Sequence, residues 1–301
     1  MYFRLSCLFI LLMLLPIMTS GDELNSNENA DSLLYEPSHS ESQVGDNSGF
    51  VSNYLSSQRT ELSNDLPLVF PTLLSDYIAI HKEVIPRTKR DVLRAAGVLT
   101  VGGLFIGYDQ QIYDALGRNS DHWTLKSIND VGDVVEKTGL KAVMYKYYFS
   151  ALAVGYLTDN DFLKNTTLDI LESSFIATSV QLGMKYSTGR ARPDEGLGAF
   201  EFKPPEYDAF FSGHSANVTQ LAVILSHHVN YKPFTYAAFA AAGTVCVQRV
   251  LSERHWPSDV FFGVVWGWIV ANGVIDRNDK PVQLGTVSNQ HMDGISLTLH
   301  L

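Results

Sequence analysis

The chain has 301 residues, of which 46% are hydrophobic, and a formal net charge of −10. That apolar content excludes global disorder and allows a sizeable core, in one large domain or two small ones. The acidic balance gives no electrostatic footprint for nucleic acid, so no nucleic-acid partner is expected.

Residues 1–20 read as a secretory signal: Arg4 is the positive end, Leu8–Met18 the apolar core, and Thr19-Ser20-Gly21 the small residues for cleavage. The run is short for a stable membrane span, although an uncleaved anchor also fits. Of the two cysteines, Cys7 lies in that signal, so no internal disulfide is expected in the mature chain. Cys246 sits in an alanine-rich run and is expected to be a buried packing residue. Residues 21–65 are polar and lack periodic apolar positions, which predicts a disordered linker.

Structure is expected from residue 66. Leu73, Tyr77, Ile78 and Ile80 suggest a short amphipathic helix, broken at Pro86. Val92–Tyr108 reads as an apolar helix whose Gly103-xxx-Gly107 spacing permits close helix approach. Ala115–Ser127, with Gly117, reads as a loop. Helices follow over Val131–Thr138, Ala142–Leu157 and Leu168–Lys185, with a turn at Asp159–Asp161. Gly189–Phe210 is rich in proline and glycine and reads as a loop. Further helices are expected over Gly213–His228, Phe234–Arg249 and Ser258–Asn272, the last capped by Gly273. Val282–Val287 and Gly294–Leu301 read as two short strands in a terminal hairpin. Trp266, Gly267 and Asn272 interrupt or end the longest apolar run after the signal, so the core is expected not to be a multi-span membrane protein.

Three polar islands interrupt the apolar helices. The first runs from Lys185 to Pro193 at a helix C-terminus, where basic side chains suit the dipole in any case. Arg192 precedes a proline and is biased to extended backbone, which directs its guanidinium away from the helix toward something planar and anionic. The second is Phe211-Ser212-Gly213-His214-Ser215, opening a helix. It offers an anion site at a positive helix end, or simply a serine cap. The third is Arg249–Asp259. Pro257 suits a first helical turn, Asp259 falls in that turn, and its carboxylate can reach back to His255. A carboxylate on one ring nitrogen fixes the tautomer and makes the other a better nucleophile. A loop with a surface salt bridge would explain this stretch equally well on its own.

Together the islands gather three cations, a helix N-terminus and two histidines in an acidic protein, which is what a transferring phosphoryl group demands. In this pattern the sequence resembles the type 2 phosphatidic acid phosphatase family, whose fold is shared with class A acid phosphatases and vanadium haloperoxidases. Lys185, Arg192 and Pro193 match Lys-x6-Arg-Pro. Ser212, Gly213 and His214 match Pro-Ser-Gly-His, with Phe211 replacing the proline. Arg249, His255 and Asp259 match Ser-Arg-x5-His-x3-Asp, with Gln248 replacing the serine.

The resemblance covers about Asp91 to Gly273 and implies an all-α bundle of the acid phosphatase and haloperoxidase type. The helical domain is expected over 66–275, with 276–301 as a tail. It implies His255 as the nucleophile forming a phosphohistidine, Asp259 as its orienter and His214 as the general acid. Lys185, Arg192, Ser212, Gly213 and Arg249 would bind phosphate. No metal or cofactor is implied, and vanadate is expected to inhibit as a phosphate mimic. His227-His228 reads as a pair of dipole partners rather than ligands. Arg190 and Arg254 fall outside the signature, at the rim of the entrance or on the solvated surface.

The expected activity is hydrolysis of phosphomonoesters, on a phosphorylated small molecule or lipid. The rivals are a vanadium-dependent haloperoxidase and a non-catalytic phospholipid binder. The expected location is exported, the periplasm first, with peripheral membrane contact allowed.

Overall fold

The structure, a computed structural model, describes residues 73–299 apart from 83, 119–121, 139–140, 280–281 and 290–291. The expected signal over 1–20 and linker over 21–65 lie outside the described residues.

Eight helices are described: α1 (residues 73–82), α2 (Lys89–Arg118), α3 (Trp123–Thr138), α4 (Lys141–Leu157), α5 (Asp161–Thr188), α6 (Gly213–Val229), α7 (Lys232–Leu251) and α8 (Pro257–Asn278). Local chemistry sets most boundaries. Asn160 caps α5 by accepting from the Leu163 amide at 3.1 Å. Asn230 ends α6 in the left-handed conformation, and Pro257 opens α8. Two expected boundaries are corrected. Gly117 lies inside α2, and α3 begins at Trp123, so Ala115–Arg118 and Trp123–Ser127 of the expected loop are helical. Gly273 does not cap α8, which runs on to Asn278; a Cβ at Gly273 would sit 2.9 Å from Ile80 Cγ1, so this glycine admits α1 instead.

The core lies where α5, α6 and α8 meet. Ile170 of α5, Val223 and Ile224 of α6, and Ala271 and Ile275 of α8 pack with Tyr148 of α4. A second cluster joins Ile80 of α1 to Ile176, Ala177, Val270 and Val274. Helix α8 approaches α6 backbone to backbone. A Cβ at Gly263 would lie 2.4 Å from the Ser212 carbonyl oxygen, and one at Gly267 would lie 2.3 Å from that of Ala216. Small residues four apart thus let two backbones touch. The Gly103-xxx-Gly107 pair, expected to do this, has nothing within 4 Å of either Cβ position.

A polar cluster pins the end of the bundle formed by α1 and the C-terminus of α8. Arg277 pairs with Asp76, and Asn278 donates to Asp169 at 2.7 Å and to Glu172 at 3.1 Å. His228 faces Asp169 at 2.7 Å, and His227 faces Asp279 at 3.4 Å, so the adjacent histidines serve separate carboxylates.

Among the described residues, three helices are long and apolar enough to cross a membrane: Lys89–Leu116, Lys232–Leu251 and Pro257–Asn278. This corrects the expectation that interruptions keep the helices short, because Trp266, Gly267 and Asn272 lie within one continuous α8. On α2, Leu93 is 73% exposed and Leu99 66%, an outward apolar surface suited to hydrocarbon rather than water. The chain reads as a membrane protein.

The C-terminal strands β1 (Val282–Asn289) and β2 (Met292–Leu299) pair antiparallel, with Val282 opposite Leu299, as the expected hairpin. Cys246 is half-buried on α7 rather than fully buried.

Candidate active site

Gly189 sets the site up. It ends α5 with φ 54°, and a Cβ there would lie 2.4 Å from the Lys203 carbonyl oxygen. Glycine is required both for the left-handed backbone and for the close approach. Beyond it the chain runs extended. Ala191 donates to the Glu201 carbonyl at 3.0 Å, and Ala209 donates to that of Arg190 at 2.9 Å. Arg192 takes φ −82° and ψ 158°, the extended conformation expected before Pro193.

Lys185 and Arg192 converge on Asp208. Arg192 donates from Nε to Oδ1 at 2.8 Å and from Nη2 to Oδ2 at 3.0 Å, and Lys185 Nζ lies 3.3 Å from Oδ2. Burial pushes the Lys185 ammonium below its ordinary range, and Asp208 offsets part of that loss. Burial would raise the Asp208 carboxyl, but Arg192 and Lys185 outweigh it and hold it below the usual carboxylate range.

Ser212 caps α6, its Oγ accepting from the Ser215 amide at 3.3 Å and from the Ser215 hydroxyl at 3.0 Å. A Cβ on Gly213 would lie 2.0 Å from Gln181 Nε2, so glycine lets the Gln181 side chain of α5 sit against this turn. Ser212 N donates to the Asp259 carbonyl at 3.0 Å, tying the start of α6 to the first turn of α8. His214 follows in the first turn of α6, half-buried.

His255 is buried in the turn between α7 and α8. Its Nδ1 meets the Ala209 carbonyl at 2.9 Å, while Asp259 Oδ2 is farther, at 3.8 Å. A carbonyl accepts only, so Nδ1 carries the proton and Nε2 keeps its lone pair. Burial lowers the His255 pKa, Asp259 pulls it back up, and Lys185 and Arg192 add to the lowering. Asp259 Oδ2 accepts from the Trp256 amide at 2.9 Å, and Oδ1 accepts from Arg190 Nη1 at 2.7 Å.

Sequence reasoning missed three of these participants. Arg190, expected at the rim or surface, is 1% exposed and bridges Asp259 to Asp109 of α2. Asp208 carried no motif. The Ala209 contact is made by backbone, which no side-chain pattern announces. Arg254 does lie at the surface, paired with Asp194 at 2.9 Å. Arg249 is buried and donates from Nε to Gln248 Oε1 at 2.7 Å and also from Nη2. The residue standing in place of the motif's serine therefore engages the guanidinium directly. Gln248 also fills the space beside Gly132 of α3, where a Cβ would lie 2.1 Å from its Cγ. Among the described residues, no group of three or more His, Cys, Asp or Glu side chains could hold a metal ion.

The model of the PAP2 superfamily matches residues 166–280. That segment contains every site residue named above except Asp109. The chain is 25% identical over 219 residues to the lipid A 1-phosphatase of Porphyromonas gingivalis, covering 70% of this chain and 42% of that protein. It is 33% identical over 90 residues to the lipid A 1-phosphatase of Rhizobium etli, covering 28% of this chain and 38% of that one. The chain thus spans less than half the length of these curated relatives. Among solved structures it is similar to a transmembrane PAP2-type phosphatidylglycerolphosphate phosphatase from Bacillus subtilis, at 21% identity and a TM-score of 0.45, covering 70% of this chain and 96% of that one.

Proposed function

We propose that this protein is a metal-independent phosphatase that removes phosphate from a lipid phosphate through a phosphohistidine. The observation that carries the reading is the convergence of Lys185 and Arg192 on one carboxylate, Asp208, with their charge felt at a buried His255 whose proton sits on Nδ1. Two cations that hold a carboxylate can hold phosphate oxygens in the same way. The Ser212 cap and the amides opening α6 add donors suited to the same anion.

In the first step His255 Nε2 attacks phosphorus, and the P–O bond to the lipid alcohol breaks. His214 gives its proton to the departing oxygen. Lys185, Arg192, Ser212, Gly213 and Arg249 balance the charge on the equatorial oxygens. Asp259 faces the ring that becomes cationic. In the second step water attacks the phosphohistidine, the N–P bond breaks, and the water proton returns to His214.

The lipid assignment draws support from two sides. The loop that follows Arg192 exposes Leu197, Phe200 and Phe202, apolar side chains within ten residues of that guanidinium in sequence. Relatives named for lipid A dephosphorylation point the same way. The test is an assay of the full chain in detergent on phosphatidic acid, a lipid A 1-phosphate and p-nitrophenyl phosphate side by side. Turnover of the lipids at higher kcat/KM than the soluble ester supports the proposal. Preference for the soluble ester would remove the lipid assignment, and no phosphate release from any of them would remove the enzyme.

A further inference from the structure

We infer that Asp109 and Arg190 are positioning residues that hold the Asp259 carboxylate in place and preserve its negative charge toward His255. The inference rests on the phosphatase reading above and deepens it.

Arg190 spends all its donors inside the protein. Nη1 donates to Asp259 Oδ1 and to Ser258 Oγ, each at 2.7 Å. Nη2 donates to Asp109 Oδ2 at 2.6 Å and to the Ala199 carbonyl at 2.8 Å, and Nε donates to that carbonyl at 3.1 Å. Asp109, fully buried on α2, also accepts from the Ser258 amide at 2.8 Å and the Ser258 hydroxyl at 2.5 Å. None of these side chains shares a described hydrogen bond with Lys185, Arg192 or Asp208.

Charge explains why two carboxylates are present. A buried guanidinium beside Asp259 alone would cancel the negative charge that a phosphorylated, cationic imidazole needs. With Asp109 on the other side, the trio carries one net negative charge. Arg190 then fixes one Asp259 oxygen, and the Trp256 amide fixes the other. Both oxygens of the carboxylate are thus held, with Oδ2 3.8 Å from the ring, and α2 is stapled to the start of α8 beside the turn that carries His255. Facing His255 itself are Asp259, Lys185, Arg192 and the Ala209 carbonyl, so any change in trio charge is felt there through Asp259.

The test uses the full chain in detergent with p-nitrophenyl phosphate as the probe. Asp109→Asn keeps the shape and removes the charge. It should lower kcat by about 10-fold or more, leaving KM and inhibition by inorganic phosphate within about threefold, because the phosphate donors are untouched. The acidic limb of kcat/KM should move to lower pH, since the His255 imidazolium loses support. A merely structural role would reduce the amount of active protein without moving that limb. The paired variant Asp109→Asn, Arg190→Gln replaces the ion pair by neutral amides. It should return the limb toward its original pH, because Asp259 regains its full charge, while kcat stays low because Asp259 has lost its clamp. Should the single variant not fold, the paired variant carries the test. Parental kcat in either folded variant, or an unmoved limb in Asp109→Asn, overturns the inference. His255→Ala is measured alongside. If it retains activity, the phosphohistidine reading itself fails. If it is inactive while Asp109→Asn behaves as the parent, only the positioning role fails.

Discussion

Asp208 grips Arg192 with both carboxylate oxygens, at 2.8 and 3.0 Å, in the geometry with which a guanidinium holds two phosphate oxygens. The carboxylate is half-exposed, so solvent screens the pair and a substrate can displace it. Asp208→Ala should therefore tighten inhibition by inorganic phosphate, by about fivefold if the contact is worth about 1 kcal/mol. An inhibition assay at constant pH reads this directly. Weaker inhibition would mean that Asp208 holds the two cations in place for the anion rather than competing with it.

The two histidines should fail differently. In the proposed mechanism His255→Ala removes the nucleophile, so every substrate should be lost alike. His214→Ala removes the proposed proton donor, so alkyl phosphates should suffer far more than p-nitrophenyl phosphate, whose phenolate leaves without help. General acid catalysis is worth about 100- to 10,000-fold, which sets the expected gap between the substrates. Equal losses on both leaving groups would refute this division of labour. Acid-labile, base-stable phosphate should be trapped on protein with His255 intact and be absent from His255→Ala.

The pH profile has a fixed sign. As the proposed nucleophile His255 must be neutral, and burial holds its pKa below the ordinary 6.5. Activity is thus present above the folded-state pKa and lost as pH falls through it, which puts the acidic limb of kcat/KM below pH 6.5. A limb centred above that value would mean that a different group titrates, or that the imidazole is not buried during turnover.

Arg192→Lys should not be mild. An ammonium cannot reproduce the two-point contact, so affinity and turnover should both fall, kcat/KM by about 10-fold or more. Steady-state kinetics with one lipid and one soluble substrate would show it, and parental values would take Arg192 out of the site.

Glycines that read alike in sequence should behave oppositely. Gly263→Val forces side-chain atoms into the Ser212 carbonyl and should destabilise by about 3 kcal/mol or more, whereas Gly103→Val enters open space. Thermal unfolding in detergent would compare them. Similar losses at both positions would contradict the described packing.

What the sequence made legible was local. Pro257 announces the start of α8, Ser212 the start of α6, and Arg192-Pro193 its own extended backbone, because each signal acts within a few residues. Arg190 was opaque for the opposite reason: its carboxylate partners lie 81 and 69 residues away, and nothing local separates a buried guanidinium from an exposed one. The helix spans also outran their signals. Gly117 and Gly273 read as breaks, yet a helix tolerates an isolated glycine, and at Gly273 packing of Ile80 gives a reason to keep one. The Gly103-xxx-Gly107 spacing stated that a neighbour was permitted, not that one was there.

The hydrogen bond from Ser212 N to the Asp259 carbonyl, with Gly263 pressed on the Ser212 carbonyl, joins the two business ends of the protein through main chain alone. The spacing of this joint is set by backbone atoms and by the absence of a Cβ at Gly263. Leu197 and Phe200, exposed on the loop after Arg192, lie outside this joint, so exchanging them leaves the start of α6 in register with the start of α8.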